Sequence, residues 1–273
     1  MSPTQEEKYQ AFKKLHERQG AFVIPNPWNA GTAKILTTVG FEALATTSAG
    51  MAFSMGQKDG FAALSLEETL ANCREIVNAT HLPVSADLED GFGAAPENCV
   101  ETIRGGIGAG LVGGSIEDAT GDPENPIYDF NLAVERIHAA SEASRGQPFL
   151  LTARSENFIR GRLDLDDTIR RLLAFEKAGA DVLYAPGLSD LNAIKTVCEA
   201  VSKPVNVVMG LVGATFSVDE LADVGVKRIS TGGSMARAAL GGFMKAAIEI
   251  KDHGTFTYGE SALSNKVAND LMS

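Results

Sequence analysis

Four carboxylates and one guanidinium stand where this chain could build a cation-assisted reaction centre. Asp87 and Glu89 close the run within "PVSADLEDGFG" (83–93), Glu117 and Asp118 close "LVGGSIED" (111–118), and Arg154 closes "PFLLTAR" (148–154). Each lies at the end of a short apolar segment that reads as a β-strand. Side chains alternate along a strand, so Asp87 and Glu89 are expected on one face, with Asp90 turned elsewhere or starting the turn. Carboxylates crowded onto neighbouring strand ends repel unless a cation lies among them. Mg²⁺ suits a site of few carboxylates and several retained waters, with Mn²⁺ as the alternative. The plainer reading is that Asp87 and Glu89 are solvated charges on a loop.

Arg154 is suited to a substrate carboxylate or a developing oxyanion. Its plainer role is an ion pair to Glu117 or Glu156. The turn "TTSAGM" (46–51), with Thr47, Ser48, Ala49 and Gly50, offers hydroxyls and backbone N–H groups to a carboxylate. "TGGSMA" (231–236) could cradle a phosphate; the simpler alternative is a Ser-capped helix start. His16, His81, His138 and His253 fall in helices or connecting segments, so neither a histidine base nor a His-rich metal site is expected.

The elements that must position these groups alternate with little interruption. An opening helix over about 4–19 precedes eight apolar runs: 21–26, 42–48, 83–89, 111–118, 148–154, 181–187, 204–209 and 227–233. Helical patterns follow them at about 29–39, 66–79, 96–109, 130–144, 165–178, 189–201, 217–224 and 234–250. Ser65, Asp164 and Ser217 stand at helix starts as N-caps. Strands separated by helices must pair in parallel, and eight such units predict closure into a (β/α)₈ TIM-type barrel. An open doubly wound sheet is the rival, but no GxGxxG opens the first helix. Residues 1–273 read as a single domain. The extension 254–273 ends in a helical pattern with Val267 and Leu271 at i, i+4, long enough to pack on another subunit.

A net charge of −11 argues against nucleic acid and anionic membrane surfaces as partners, since both need a basic footprint. Anionic small molecules stay open, because a bound cation inverts the local sign. Cys73, Cys99 and Cys198 lie in no CxxC, so reduced, mostly buried thiols of a cytoplasmic protein are expected. The polar start "MSPTQEEKYQAFKKLHERQG" is no signal segment, and no run of about 18 apolar residues occurs.

In order along the chain, "NPWNAGTAKIL", "ATTSAGMAFSMGQKDG", "SADLEDGFG", "GGSIEDATG", "LTARSE" and "GADVLYAPG" resemble the isocitrate lyase/phosphoenolpyruvate mutase superfamily over about residues 20–235. The resemblance implies a (β/α)₈ barrel, often with a C-terminal helix exchanged between subunits of a homodimer or homotetramer. It also implies a Mg²⁺ site for 2-oxo acid or enolate chemistry. Position by position, Asp87 looks like the direct metal ligand, and Glu89 and Glu117 like carboxylates reaching the metal through water. Asp59 matches the acidic residue after the second strand. Thr47, Ser48 and Ala49 match the turn whose backbone holds the substrate carboxylate, Arg154 the substrate-binding arginine, and Asn206 a polar contact.

Two departures narrow the reaction. Isocitrate and methylisocitrate lyases carry a Lys-Cys-Gly-His loop after strand 4; here the loop reads "EDATGDPENPIYDF" (117–130), without cysteine, lysine or histidine. Their glutamate after strand 6 is replaced by "APG" (185–187). The loop keeps Asn125 but lacks the lysine of the phosphonomutase branch, and its acidity disfavours phosphoryl transfer. The resemblance therefore implies a Mg²⁺-dependent lyase that breaks a C–C bond of a small 2-oxo or 2-hydroxy acid through a metal-stabilised enolate, with Arg154, Asp59 and Glu117 as catalytic residues. C–P chemistry on a phosphonopyruvate-like acid and a catalytically silent dicarboxylate-binding barrel are the alternatives.

Overall fold

The computed structural model describes residues 2–60, 63–211, 213 and 215–273. Along the chain run α1 (Gln5–Glu17), β1 (Phe22–Ile24), α2 (Ala30–Val39), β2 (Leu44–Ala45), α3 (Ser48–Ser54), α4 (Leu66–Ala79), β3 (Val84–Asp87) and α5 (Pro96–Gly108). The second half continues with β4 (Gly113–Glu117), α6 (Phe130–Ser144), β5 (Leu150–Arg154), α7 (Leu165–Lys177), β6 (Val182–Tyr184), α8 (Leu191–Ala200), β7 (Val205–Val208), α9 (Val218–Asp223), β8 (Arg228–Ser230), α10 (Ser234–His253) and α11 (Asn265–Leu271). A single 3₁₀ turn, Thr257–Glu260, lies between the last two helices.

All eight strands pair in parallel, in the order β1-β8-β7-β6-β5-β4-β3-β2. The seam between β1 and β2 is drawn together by Ala45 N–H donating to the Pro25 carbonyl at 3.0 Å. The sheet thus curls into the (β/α)₈ barrel that the strand–helix alternation implies.

Local chemistry starts the helices where the sequence suggests. Ser65 accepts from Glu68 N and Ser217 from Glu220 N, each in a capping box, and Asp164 accepts from Asp167 N. The lower end of the barrel is plugged by α1, whose Phe12 and Leu15 pack on Phe22, Ile24, Val112 and Leu150. Gly113 makes room for this plug, since a Cβ there would lie 3.0 Å from the Phe12 ring and 3.1 Å from the Leu150 carbonyl.

Two local expectations are corrected, and the tail is placed. The run 42–48 is not a strand to its end: Thr47 caps a short helix, α3, that begins at Ser48. Strand β3 stops at Asp87, and Glu89 adopts a left-handed backbone with φ 48°, so simple alternation does not carry from Asp87 to Glu89. The tail folds back on its own barrel. Lys34 Nζ on α2 donates to the Met272 carbonyl just past α11, and Gly31 faces the Met272 thioether.

Candidate active site

At the upper rim, Asp87, Glu117 and Arg154 end three consecutive strands, and the parallel register places Glu117 beside Arg154. The guanidinium sits among the carboxylates. Nη1 donates to Asp87 Oδ1 at 3.0 Å, Nη2 reaches Glu117 Oε2 at 3.1 Å, and Nε donates to Glu156 Oε1 at 2.9 Å. Both readings of Arg154 as an ion-pair partner therefore hold at once, and Asp87 is added to them. A second cation, Arg160 on the loop after β5, lies 3.3 Å from Glu117 Oε1 and 3.9 Å from Glu156 Oε2. The Tyr184 ring lies beneath, its centroid 5.0 Å from the Arg154 guanidinium carbon.

Negative charge still exceeds positive here. Five carboxylates (Asp59, Asp87, Glu89, Glu117, Glu156) face two guanidiniums (Arg154, Arg160). Burial, and then the charges of Asp87, Asp90 and Asp59, push the Glu89 carboxyl up to about 8. Burial and the neighbouring Glu156 drive Glu117 well above the ordinary range, against the pull of Arg154 and Arg160. Asp59, solvent-exposed at the rim, is raised by partial desolvation and by Asp87. Burial alone would weaken the proton's hold on Arg154, but Glu156, Glu117 and Asp87 outweigh it, so this group stays charged. Burial and mutual repulsion disfavour the charged forms of Glu89 and Glu117, and a bound cation would favour them.

The donor set bears on what kind of cation fits. Among the described residues no three of Asp, Glu, His and Cys gather closely enough to cage a metal. The Arg154 guanidinium stands between Asp87 and Glu117 instead. Such an all-oxygen, water-accessible set suits a hard cation that takes one carboxylate directly and keeps most of its water, as Mg²⁺ does.

The remaining expected residues are placed as follows. Thr47 is buried, its Oγ1 accepting from Gly50 N, and Ser48 Oγ donates to Asp87 Oδ2 at 2.9 Å. Ala49 N–H, in the first turn of α3, has no partner among the described residues. Gly50 is packed so closely that a Cβ would lie 2.8 Å from Thr47 and Trp28. Asn206 is buried below the rim, engaged with Arg228 and Ser230. The phosphate-cradle reading of 231–236 is not supported, since Asn26 Oδ1 already accepts from Thr231 N and Gly232 N; the Ser-capped alternative is corrected too, because Gly233, with no side-chain cap, precedes α10.

Asp118 and Asp90 turn to structural work. Asp118 accepts from Glu156 N at 2.8 Å and pairs with Arg171 at 3.3 Å, while Asp90 takes the Tyr128 hydroxyl at 3.1 Å and lies near the buried Arg136. Sequence reasoning missed Tyr184, Arg160 and Arg228. Tyr184 and Arg228 did carry a signal, being polar positions on strands at the same alternation as Asn206 and Ser230. After β4, residues 118–128 fold into a small tongue, with an antiparallel bridge between Ala119 and Ile127 and Tyr128 N donating to the Asp118 carbonyl at 2.8 Å. Gly121, Asp122, Pro123 and Pro126 of this tongue face Arg160 across a cavity of about 350 Å³.

With that geometry in hand, the chain can be set beside known proteins. The phosphoenolpyruvate phosphomutase family matches residues 12–251. A candidate lyase/mutase from Burkholderia cenocepacia J2315 has a crystal structure that superposes with a TM-score of 0.96 at 55% identity, covering 98% of this chain and 96% of that one. The 2-methylisocitrate lyase of Escherichia coli (strain K12) is 29% identical over 77% of this chain and 73% of its own length. The 2,3-dimethylmalate lyase of Eubacterium barkeri is 30% identical over 69% of this chain and 66% of its own. The chain belongs to the phosphoenolpyruvate phosphomutase family, within the isocitrate lyase/phosphoenolpyruvate mutase superfamily.

Proposed function

We propose that this protein is a Mg²⁺-dependent lyase that breaks a C–C bond in a small 2-oxo or 2-hydroxy carboxylic acid, oxaloacetate-like in size. The observation that carries this reading is the surplus of carboxylates over guanidiniums at the rim, where Asp87, Glu117 and Glu156 surround Arg154. The relatives named as lyases act in the same reaction class. Asp87 would hold the cation, with Glu89 and Glu117 as its further carboxylates and Asp59 adding charge at the rim. When bound, the cation supplies Lewis acidity toward a substrate oxygen.

The chain's own groups do the rest. Arg154, with the hydroxyls and N–H groups of 47–50, orients the substrate carboxylates so that the breaking bond is held in one geometry. Arg154 is fixed by three carboxylates, so little reorganisation is needed as charge develops. Asn206 acts from below, through Arg228 and Ser230. The 118–128 tongue stands across an open cavity from Arg160 at the rim. Glu89, whose carboxyl burial raises, would be favoured in its ionised form by a cation held beside it.

Acidic side chains in the tongue oppose a phosphoryl group in flight, so C–P chemistry is the weaker reading. A homo-oligomer is part of the proposal, with the apolar face of α10 as its contact. A panel of oxaloacetate, 2-alkylmalates, methylisocitrate and phosphonopyruvate, assayed with Mg²⁺, tests the reaction. Products of C–C cleavage from oxaloacetate or a 2-alkylmalate are expected. Phosphate release from phosphonopyruvate alone, or binding without product from any acid, would overturn the reading.

A further inference from the structure

Below the rim, the barrel lumen contains a cation that nothing in the chain neutralises. Arg228 on β8 is 5% exposed. Its Nε donates to Asn206 Oδ1 at 2.8 Å and its Nη2 to Thr152 Oγ1 at 3.0 Å, both neutral acceptors. Nη1 is buried and has no partner. Among the described residues, which include every Asp and Glu of the chain, no carboxylate lies within ion-pair distance of this guanidinium. A buried charge is ordinarily paired, so an arginine left with two neutral acceptors is an unfinished arrangement.

Arg228 lines a cavity of about 60 Å³ inside the barrel, whose other walls include Ser85, Ser115, Tyr184, Asn206 and Ser230. That is room for about two waters, or one small ion and a water. The two ends of the cavity differ in sign. At the upper end stand Asp87 and an Arg154 whose guanidinium already pairs with three carboxylates. The lower end is Arg228, with hydroxyl and amide donors around it. Beneath lies His16 on α1, which burial and then the charge of Arg228 push down to about 3, so it remains neutral. Its Nδ1 is taken by the Phe12 carbonyl at 2.9 Å, which leaves Nε2 as an acceptor with nothing to offer an anion.

We propose that the barrel lumen beneath the carboxylate rim binds one small monovalent anion of halide size, seated against Nη1 of Arg228 at the end of the cavity away from Asp87 and Arg154. The hydroxyls of the wall donate to the same ion, and its charge completes what Asn206 and Thr152 leave undone. The site does not depend on which acid the rim turns over.

Bromide is the probe. The full-length protein is held in magnesium isethionate at constant ionic strength while sodium isethionate, a sulfonate too large for the cavity, is replaced by sodium bromide. A saturable rise in Tm is expected for the native protein and for Thr152→Val, which keeps the guanidinium, and no rise for Arg228→Gln. Crystals of the native protein grown in bromide should show an anomalous peak in contact with Nη1, which decides the matter even if Arg228→Gln fails to fold. Absence of that peak, or a bromide response that persists in a folded Arg228→Gln, overturns the proposal.

Discussion

Asp87 is shared between Ser48 and Arg154: one carboxylate oxygen accepts from Ser48 Oγ at 2.9 Å, the other from Arg154 Nη1 at 3.0 Å. This joins the first turn of α3 to the end of β5 through a residue on β3. The three groups assigned to substrate and cation are therefore mechanically linked, and disturbing one moves the others.

Arg154 carries most of that linkage. Replacing it by Met leaves Asp87, Glu117 and Glu156 facing one another with only Arg160 near. Breaking a buried pair from one side costs about 3–5 kcal/mol, and Arg154 is 14% exposed, so little of that is lost to solvent. Urea titration should show a loss of this order for Arg154→Met. Arg154→Lys should lose less stability but still drop kcat/KM on the order of 10²-fold, because an ammonium cannot span three carboxylates in a plane. Near-native turnover in Arg154→Lys would mean that charge alone is what the site requires.

Asp87→Ala isolates the cation. Mg²⁺-dependent activity and the stabilisation by Mg²⁺ with oxalate should both disappear, with kcat/KM falling on the order of 10²-fold or more. The metal-free protein should change little in Tm. Arg154 loses one partner, but Glu89 and Asp59 are relieved of a charge that raises both their pKa values. Retained stabilisation by Mg²⁺ and oxalate would remove Asp87 from the cation site.

Much of the barrel is legible from period and punctuation, because parallel strands buried on both faces read as short apolar runs and capped helices announce their starts. The helices 66–79 and 130–144 begin and end where the pattern places them. What escapes is the conformation of chain just past a strand. "TTS" looks like extended chain, yet Thr47 finds Gly50 N and starts a helix. Glu89 looks like the next outward position after Asp87, yet it adopts a left-handed turn before Gly91. The acidic cluster is readable because its members sit at strand ends. The charge balance is not, since Glu156 and Arg160 reach the rim from the loop after β5, at positions no strand period marks.

Glu89 makes stability depend on pH in a definite direction. Its folded pKa, about 8, lies above its ordinary value of 4.5, so the stability it contributes is complete below about 4.5 and is lost as pH rises toward 8. Asp118, raised to about 7 chiefly by burial, acts in the same sense. Calorimetry of the metal-free protein should therefore give a higher Tm near pH 5 than near pH 8.5. Glu89→Gln should flatten much of that slope, and saturating Mg²⁺ should raise Tm more at pH 8.5 than at pH 5. A metal-free Tm that climbs between pH 5 and 8.5 contradicts this account.

The long helix α10 supplies the last test. Of its 20 residues only Ala236 is buried, while Leu240, Phe243, Met244 and Ile248 are 46%, 74%, 57% and 49% exposed. Their spacing of three and four places them on one stripe, the pattern of a helix that buries a face against something else. The tail does not cover it, since α11 lies against α2. A continuous apolar stripe of this kind marks an interaction surface, and a second copy of the chain is the partner proposed for it. Phe243→Asp, at the most exposed of the four, should cost that contact about 2 kcal/mol or more, roughly a thirtyfold weaker association. Light scattering behind a sizing column should then show native protein as a dimer or tetramer and Phe243→Asp shifted toward monomer at micromolar concentration, with the metal-free Tm of the barrel lowered only by the loss of association. A native protein that is monomeric at every concentration would leave α10 without this partner.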